Sequence, residues 1–381
     1  FKLPESGHSV LSMRLGEAFS KCQHLAGTPL TPRVAQNLAT VYLSKGVMAT
    51  TAIEGNTLTA EEVQKILANE IKLPPSQQYL EQEVRNIANV LNAIYKASAE
   101  SPEPFRLSSA WLRKQNRLIL EDIDCEDHVH PGEFTTRPLA VGNYRGAPPE
   151  DVPYLIDRLC DWLNTFLLIV DDPGKTADDR FVHAFFAAAI GHLYIAWIHP
   201  FGDGNGRTAR ALECAVLANS GIVPVVSASL LSDHYNKTRA LYYRQLSQAS
   251  SHADGVMGFI RYAADGFVDM LREQISSVQQ MQREIAWISF VHEVFSGETQ
   301  GDATKRRRTL VLSLPDSPTP SSKLRRLTPE LAEMYAAKSQ KTVSHDVNKL
   351  KKLHLIRQTP EGYVPMIWVM DAFIPPTHQV L

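Results

Sequence analysis

His199-Pro-Phe-Gly-Asp-Gly-Asn-Gly-Arg-Thr-Ala-Arg210 is the stretch on which the reading of this chain turns. Upstream of it, Phe181 to Ile198 is apolar and rich in Ala but interrupted by His183 and His192, the pattern of a helix buried in a core rather than of a membrane span. That helix runs out at His199-Pro200, a turn punctuated by glycines follows, and a second helix is expected from Thr208 to Leu217. Gly204 and Gly206 let a ligand approach the backbone closely. The free N–H groups that open the second helix make an anion site, with phosphate as its natural occupant. Arg207 and Arg210, three residues apart, present forked cationic donors on one side of that first turn. Asp203 offers a hard carboxylate for Mg2+ bridging phosphates, and His199 is the group of this loop able to take a proton near neutral pH.

The loop sits in a chain of 381 residues, 44% hydrophobic and 21% charged, with a net charge of -2. This ordinary usage argues against a disordered, fibrous or membrane class, and near-neutrality gives the whole molecule no strong pull toward nucleic acid or acidic lipid. The length suits two or three structural units. Cys22, Cys125, Cys160 and Cys214 are scattered, without a CxxC pair or a His at ligand spacing, and are expected to be reduced, packed thiols. The start at Phe1 shows no basic head and apolar core of a secretion signal, so the cytoplasm is the expected compartment.

Working outward, the pattern is mainly α. Pro32 to Thr51 has Pro in its first turn and Val34, Leu38, Val41 and Tyr42 on one face. A break at Glu54-Gly55-Asn56 precedes Thr59-Ala-Glu-Glu62, a capping box, after which helical periodicity runs to about Ala97. Between Gly132 and Pro149 short runs around Gly142-Asn143 signal a hairpin from Arg137 to Arg145. Leu155, Leu159, Leu163 and Phe166 mark a further helix, and a long helical stretch runs from Gly255 past Met281 toward Phe295.

The loop matches, at each specified position, the motif HxFx(D/E)GNGRxxR, and on it the chain resembles the Fic family of protein adenylyltransferases. The resemblance implies a Fic helical core with a β-hairpin flap, ATP as substrate, Mg2+, and a target protein bearing Ser, Thr or Tyr hydroxyls. It gives His199 the role of deprotonating that hydroxyl, Asp203 the Mg2+, Asn205 with Gly204, Gly206 and neighbouring amides the α-phosphate, and Arg207 and Arg210 the β- and γ-phosphates. The hairpin resembles the family's flap, which places Val141, Gly142, Asn143 and Tyr144 near the nucleotide, although Thr135 stands where relatives often carry Arg. Asp233-His-Tyr-Asn236 with Tyr242-Tyr243 resembles the adenosine-contacting segment, Asn236 being its polar reader. A homodimer is compatible with the resemblance, and no membrane partner is expected.

Thr50-Thr-Ala-Ile-Glu54-Gly55 matches the family's inhibitory pattern (S/T)xxxE(G/N), which implies that Glu54 pairs with Arg210 and displaces the γ-phosphate. The same Glu54 stays open as a positioner of water for the reverse, AMP-removing reaction. At the C-terminus, residues 301–360 hold 13 Lys/Arg against 5 Asp/Glu, a local excess of +8. Helix, turn, helix and a small hairpin over Leu327 to Pro365 resemble a winged helix-turn-helix. Val343, Val347, Leu350 and Leu353 form its buried stripe, and His345, Asn348, Lys349 and Lys352 face outward toward DNA or protein. A DNA-binding regulator with a nucleotide-sensing Fic domain is the alternative to an enzyme. The expected organisation is an N-terminal helical region with an inhibitory helix over 1–100, a Fic catalytic core over 101–255, a helical linker over 256–300 and a winged-helix domain over 301–381.

Overall fold

The structure is a computed structural model that describes residues 8–101, 103–141, 144–252 and 254–371. It divides into two compact units, Phe1–Ile275 and Ser276–Leu381. Among the described residues of the first unit the helices are α1 (His8–Ala26), α2 (Pro32–Ile53), α3 (Ala60–Leu67), α4 (Gln78–Glu100), α5 (Ser109–Ile119), α6 (Val152–Val170), α7 (Ala177–Ile198), α8 (Asn205–Ala218), α9 (Leu230–Lys237) and α10 (Arg239–Ser251). The boundary falls within α11 (Gly255–Ser296). An antiparallel two-stranded hairpin, β1 (Ala140–Val141) and β2 (Tyr144–Arg145), pairs Ala140 with Arg145 and Val141 with Tyr144.

The core is built around α7, packed by α6 and α8. Its small residues permit close approach: Ala184, Ala187, Ala188 and Ala189 are fully buried. A Cβ at Gly191 would stand 2.9 Å from Leu212 and 3.0 Å from Leu163, so that helix surface is already in contact with both neighbours. α7 is the one described helix long and apolar enough to cross a membrane, yet 67% of its apolar window is buried inside the chain, the position of a core helix. It starts at Ala177, ahead of the apolar run that begins at Phe181, because Thr176 caps it by accepting from Asp179 N.

The N-terminal region departs from one long helical run after Thr59. The capping box forms as expected, with Thr59 N donating to Glu62 at 2.8 Å and Glu62 N to Thr59 Oγ1 at 3.3 Å. The helix it opens, however, ends at Leu67. Asn69 turns left-handed at φ 57 and Pro74-Pro75 intervene before α4, because proline cannot donate into a continuing helix. α2 ends at Glu54, and Gly55 at φ 104 takes the left-handed turn that stops it.

The second unit holds the end of α11, then α12 (Asp302–Leu312), α13 (Pro329–Tyr335), α14 (Gln340–Lys352) and a hairpin of β3 (Ile356–Thr359) and β4 (Gly362–Pro365). Trp287, Val291 and Phe295 of α11 pack in one core with Leu310, Leu331, Val343, Val347 and Leu350, so the later part of the expected linker belongs to this unit. Inside it Asp346, with 1% of its side chain exposed, accepts from Arg306 Nε at 2.7 Å, from Arg307 Nε at 2.7 Å and from the Tyr335 hydroxyl at 3.0 Å. One carboxylate thereby fastens α12 and α13 onto α14. Asp346→Asn, which leaves two largely buried guanidinium groups without their counter-charge, is expected to cost about 3–5 kcal/mol in urea unfolding followed at Trp287.

Candidate active site

The loop after α7 is held open from beneath by backbone and amide contacts. His199 caps α7 in the left-handed region, φ 53 and ψ 56, which turns the chain sharply out of the helix. Asn116 of α5, fully buried, donates to Asp203 O at 2.9 Å and accepts from Gly132 N at 2.9 Å, clamping the loop to the strand-like segment ahead of the flap. A Cβ at Gly204, whose φ is 77, would come 2.9 Å from that same Asn116 amide. From the other side Thr135 N donates to Pro200 O at 2.8 Å, and Phe134 bridges Phe201. Phe201 itself is 1% exposed and fills core.

Two local expectations change. α8 starts at Asn205 and not at Thr208, so both motif arginines lie in its first turns. Asn205 is buried with both ends of its amide committed: it donates to Phe201 O at 2.6 Å and its oxygen accepts from Phe201 N at 2.9 Å. Its side chain is a loop clamp in this structure, which leaves the backbone N–H groups at the start of α8 as the donors for a phosphate.

His199 is half-buried and its Nδ1 lies 3.4 Å from Ala196 O. A carbonyl accepts, so Nδ1 carries the proton and Nε2 keeps its lone pair. Burial holds this imidazole below its ordinary pKa, against the opposing pull of the Ala196 carbonyl, Glu54 and Asp203. The ring is therefore neutral and basic at neutral pH.

The arginines are both engaged. Arg207, 6% exposed, meets Glu83 Oε1 through Nη1 at 3.2 Å and both Asp203 oxygens through Nη2 at 3.2 Å. Arg210, 1% exposed, donates through Nη2 to Glu54 Oε1 at 2.5 Å and to Thr50 O at 3.1 Å. The Tyr242 hydroxyl lies 2.9 Å from His192 Nε2. Burial alone raises the Glu54 carboxyl, but the charge and hydrogen bond of Arg210, with Arg207 and Arg239 beyond, pull it below the ordinary carboxylate value. A Cβ at Gly206 would stand 2.5 Å from Glu54 Oε1, so glycine there makes room for the carboxylate.

Asp203 keeps 50% of its side chain exposed and is a single hard-oxygen donor; among the described residues there is no group of three His, Cys, Asp or Glu arranged around a metal. The residues fit Mg2+ when phosphate and water supply the remaining oxygens. In the flap, the Tyr144 hydroxyl donates to Trp197 O at 2.9 Å and Ala147 N to Ile198 O at 3.1 Å, which ties the hairpin to the end of α7. Gly142 and Asn143 lie outside the described residues, and of Val141 the backbone pairing alone is described. Asn236 reaches Met48 Sδ of α2 at 3.8 Å. Tyr243 is 45% exposed and donates to Ile53 O at 3.2 Å, so it belongs to the surface beside the end of α2 and not to the core.

Residues 106–217 match the Fic/DOC family model, and this part of the chain is a Fic-family domain. Over 221 residues the chain is 28% identical to the protein adenylyltransferase Fic of Nematostella vectensis, covering 56% of this chain and 44% of that protein. It is 31% identical over 218 residues to the protein adenylyltransferase fic-1 of Caenorhabditis elegans, covering 57% and 38%. The chain thus spans less than half the length of these curated relatives. A Fic family protein from Desulfovibrio desulfuricans has the same fold over 96% of this chain and 98% of its own, with a TM-score of 0.56 at 22% identity. C. elegans Fic-1 matches over 72% and 74%, with a TM-score of 0.55 at 24% identity.

Sequence reasoning passed over Asn116, Glu83 and Asn56. Asn116 and Glu83 carry no local signal, being polar residues in ordinary helices, and Asn56 read as a turn residue after Gly55. Asn116→Ala removes partners from the buried Gly132 N and from the Asp203 carbonyl. It is expected to cost about 1–3 kcal/mol and to speed amide exchange at Gly132 in solution NMR.

Proposed function

We propose that this chain transfers AMP from Mg-ATP to a hydroxyl of a target protein, and that Glu54 restrains it. The motif with its basic His199, together with relatives named protein adenylyltransferase, supports the reaction. The Glu54–Arg210 ion pair supports the restraint, and it is the observation that carries this reading. In the reaction a Ser, Thr or Tyr oxygen bonds to the α-phosphorus, the bond from that phosphorus to the β-phosphate bridge breaks, and pyrophosphate leaves. His199 Nε2 takes the hydroxyl proton as the new bond forms. The N–H groups opening α8 hold the α-phosphate, and Arg207 and Arg210 neutralise the β- and γ-phosphates once their carboxylates release them. Asp203 would hold Mg2+, which would supply charge neutralisation for the phosphates. Catalysis here is positioning plus electrostatics.

Arg210 has one guanidinium fork and two suitors. While Glu54 holds it, the γ-phosphate lacks its partner, and the nucleotide is bound weakly. Glu54→Gly is expected to raise transfer of label from α-labelled ATP to protein by at least about tenfold, an effect of the size expected when a charge-assisted contact is released. His199→Ala in that background is expected to abolish it. Label arriving from γ-labelled ATP, or a Glu54→Gly protein no more active than its parent, counts against the reading.

The pH profile follows from the imidazole. Protonation at low pH consumes the lone pair on Nε2, so the acid limb of AMP transfer is expected below the ordinary imidazole pKa, since burial lowers this group. Glu54 raises the His199 pKa by its charge. In Glu54→Gly the acid limb therefore moves to still lower pH, a shift read from initial rates across a buffer series.

The second unit supports a recognition role. α14 leaves His345, Asn348 and Lys352 exposed beside the β3–β4 hairpin, as a winged helix-turn-helix reading requires. Lys349 is less available, held by Glu298 at 2.7 Å, and His345 lies against Arg307 at 3.3 Å.

A further inference from the structure

The carboxylate that meets Arg210 sits at a weak place in the chain. Glu54 is the last cap of α2, and the next residue, Gly55, turns through φ 104 with open space where a side chain would be. A glycine turn of this kind does not by itself hold its neighbours in one conformation. Backbone bonds close the turn, Glu54 N to Thr51 O at 3.0 Å and Asn56 N to Thr51 O at 3.2 Å, and a side chain that ties it to the rest of the unit lies one residue further on. Asn56, 6% exposed, uses every part of its amide: Nδ2 donates to Leu80 O at 3.1 Å and to Glu83 Oε2 at 2.9 Å, and Oδ1 accepts from Leu58 N at 3.1 Å. Leu80 and Glu83 belong to α4, so the segment carrying Glu54 is tied to that helix.

Glu83 is two-handed. Oε2 holds Asn56, and Oε1 meets Arg207 Nη1 at 3.2 Å. Its side chain is 17% exposed and that of Arg207 6%, so these contacts are largely shielded from water, where charge-assisted bonds keep their strength. The two motif arginines and the inhibitory turn therefore form one chain of contacts: Arg210 to Glu54, across Gly55 to Asn56, and from Asn56 through Glu83 to Arg207.

We propose that Glu83 is a positioning residue that pins Glu54 in its blocking place through Asn56, an inference that rests on the restraint by Glu54 set out above. Release of this pin frees the 54–56 segment, and with it Arg210. The chemistry of the contact makes the isosteric change informative. A glutamine at position 83 has one acceptor oxygen. If that oxygen serves Arg207, its NH2 faces the NH2 of Asn56; if it serves Asn56, its NH2 faces the guanidinium. Asn56 cannot turn its amide over to compensate, because Leu80 O needs its donor and Leu58 N its acceptor.

The test is a double-mutant cycle on the full chain, read as the dissociation constant of Mg2+ with the α,β-methylene analogue of ATP, which binds without transfer of AMP. Glu83→Gln, and Glu83→Ala as the second variant, are expected to tighten binding by about threefold or more in the parent, the worth of a single lost hydrogen bond in the closed state. In the Glu54→Gly background the same changes are expected to tighten binding by a clearly smaller factor, since the direct release of Arg207 from Glu83 is then the one effect left. Affinity that stays unchanged or falls in the parent, or that rises equally in both backgrounds, overturns the pin. A misfolded variant binds less tightly, so the expected tightening is not produced by damage. If Glu54→Gly itself leaves the affinity unaltered, the restraint falls and the pin with it. If Glu54→Gly tightens binding and Glu83→Gln does not, the pin alone falls.

Discussion

The ion pair between Glu54 and Arg210 is the constraint around which the first unit is arranged. A guanidinium with 1% of its side chain exposed needs a counter-charge, because an unpaired buried charge is among the most expensive things a fold can contain. In the resting structure Glu54 is that counter-charge. The account holds that the triphosphate of ATP is its replacement, so the same burial that makes Arg210 a strong phosphate ligand also makes it a strong holder of Glu54. Restraint and catalysis then draw on one interaction, and the balance between them is set by how firmly the end of α2 is kept in place.

The rest of the site divides its labour accordingly. Asn116 and Asn205 spend their amides on the backbone of the loop. That leaves the geometry of the loop independent of any ligand, so the N–H groups at the start of α8 are preorganised. The fork of Arg210 is aimed by Thr50 O at 3.1 Å together with Glu54, and Tyr242 is buried and stacked on Tyr235 with ring centroids 4.7 Å apart. His199 sits at the one point where the left-handed turn lifts a side chain clear of α7, and its tautomer follows from the carbonyl beside Nδ1. The flap is tied to the end of the same helix through Tyr144 and Ala147, so base and flap share one rigid support.

Much of this was legible in the sequence because its signals are local. The glycine spacing, the base, the carboxylate and the arginines stand within twelve residues, and the helix ahead of them declares itself by an apolar run with small residues. The capping box at Thr59 and Glu62 and the hairpin around Gly142-Asn143 are likewise short-range patterns. What was not legible depends on packing between distant parts. Asn116 clamps a loop 87 residues away, and Glu83 meets Arg207 across 124. No periodicity marks a glutamate in an ordinary helix as the partner of a motif arginine. The break between α3 and α4 was missed because the helical pattern resumes in phase beyond Pro74-Pro75, and the early start of α8 because Asn205 and Gly206 read as loop when their tertiary partners are unknown.

Restraint by charge requires that Glu54 be ionised and held by Arg210 in the resting protein. It is tested most directly by following the side-chain carboxyl carbon of Glu54 in 13C NMR across a pH titration, its signal assigned by its loss on Glu54→Gly. The expected result is a pKa below that of an ordinary glutamate, returning toward the ordinary value when saturating Mg-ATP draws Arg210 away. A Glu54 that titrates as a free glutamate, or whose pKa ignores the nucleotide, would contradict it.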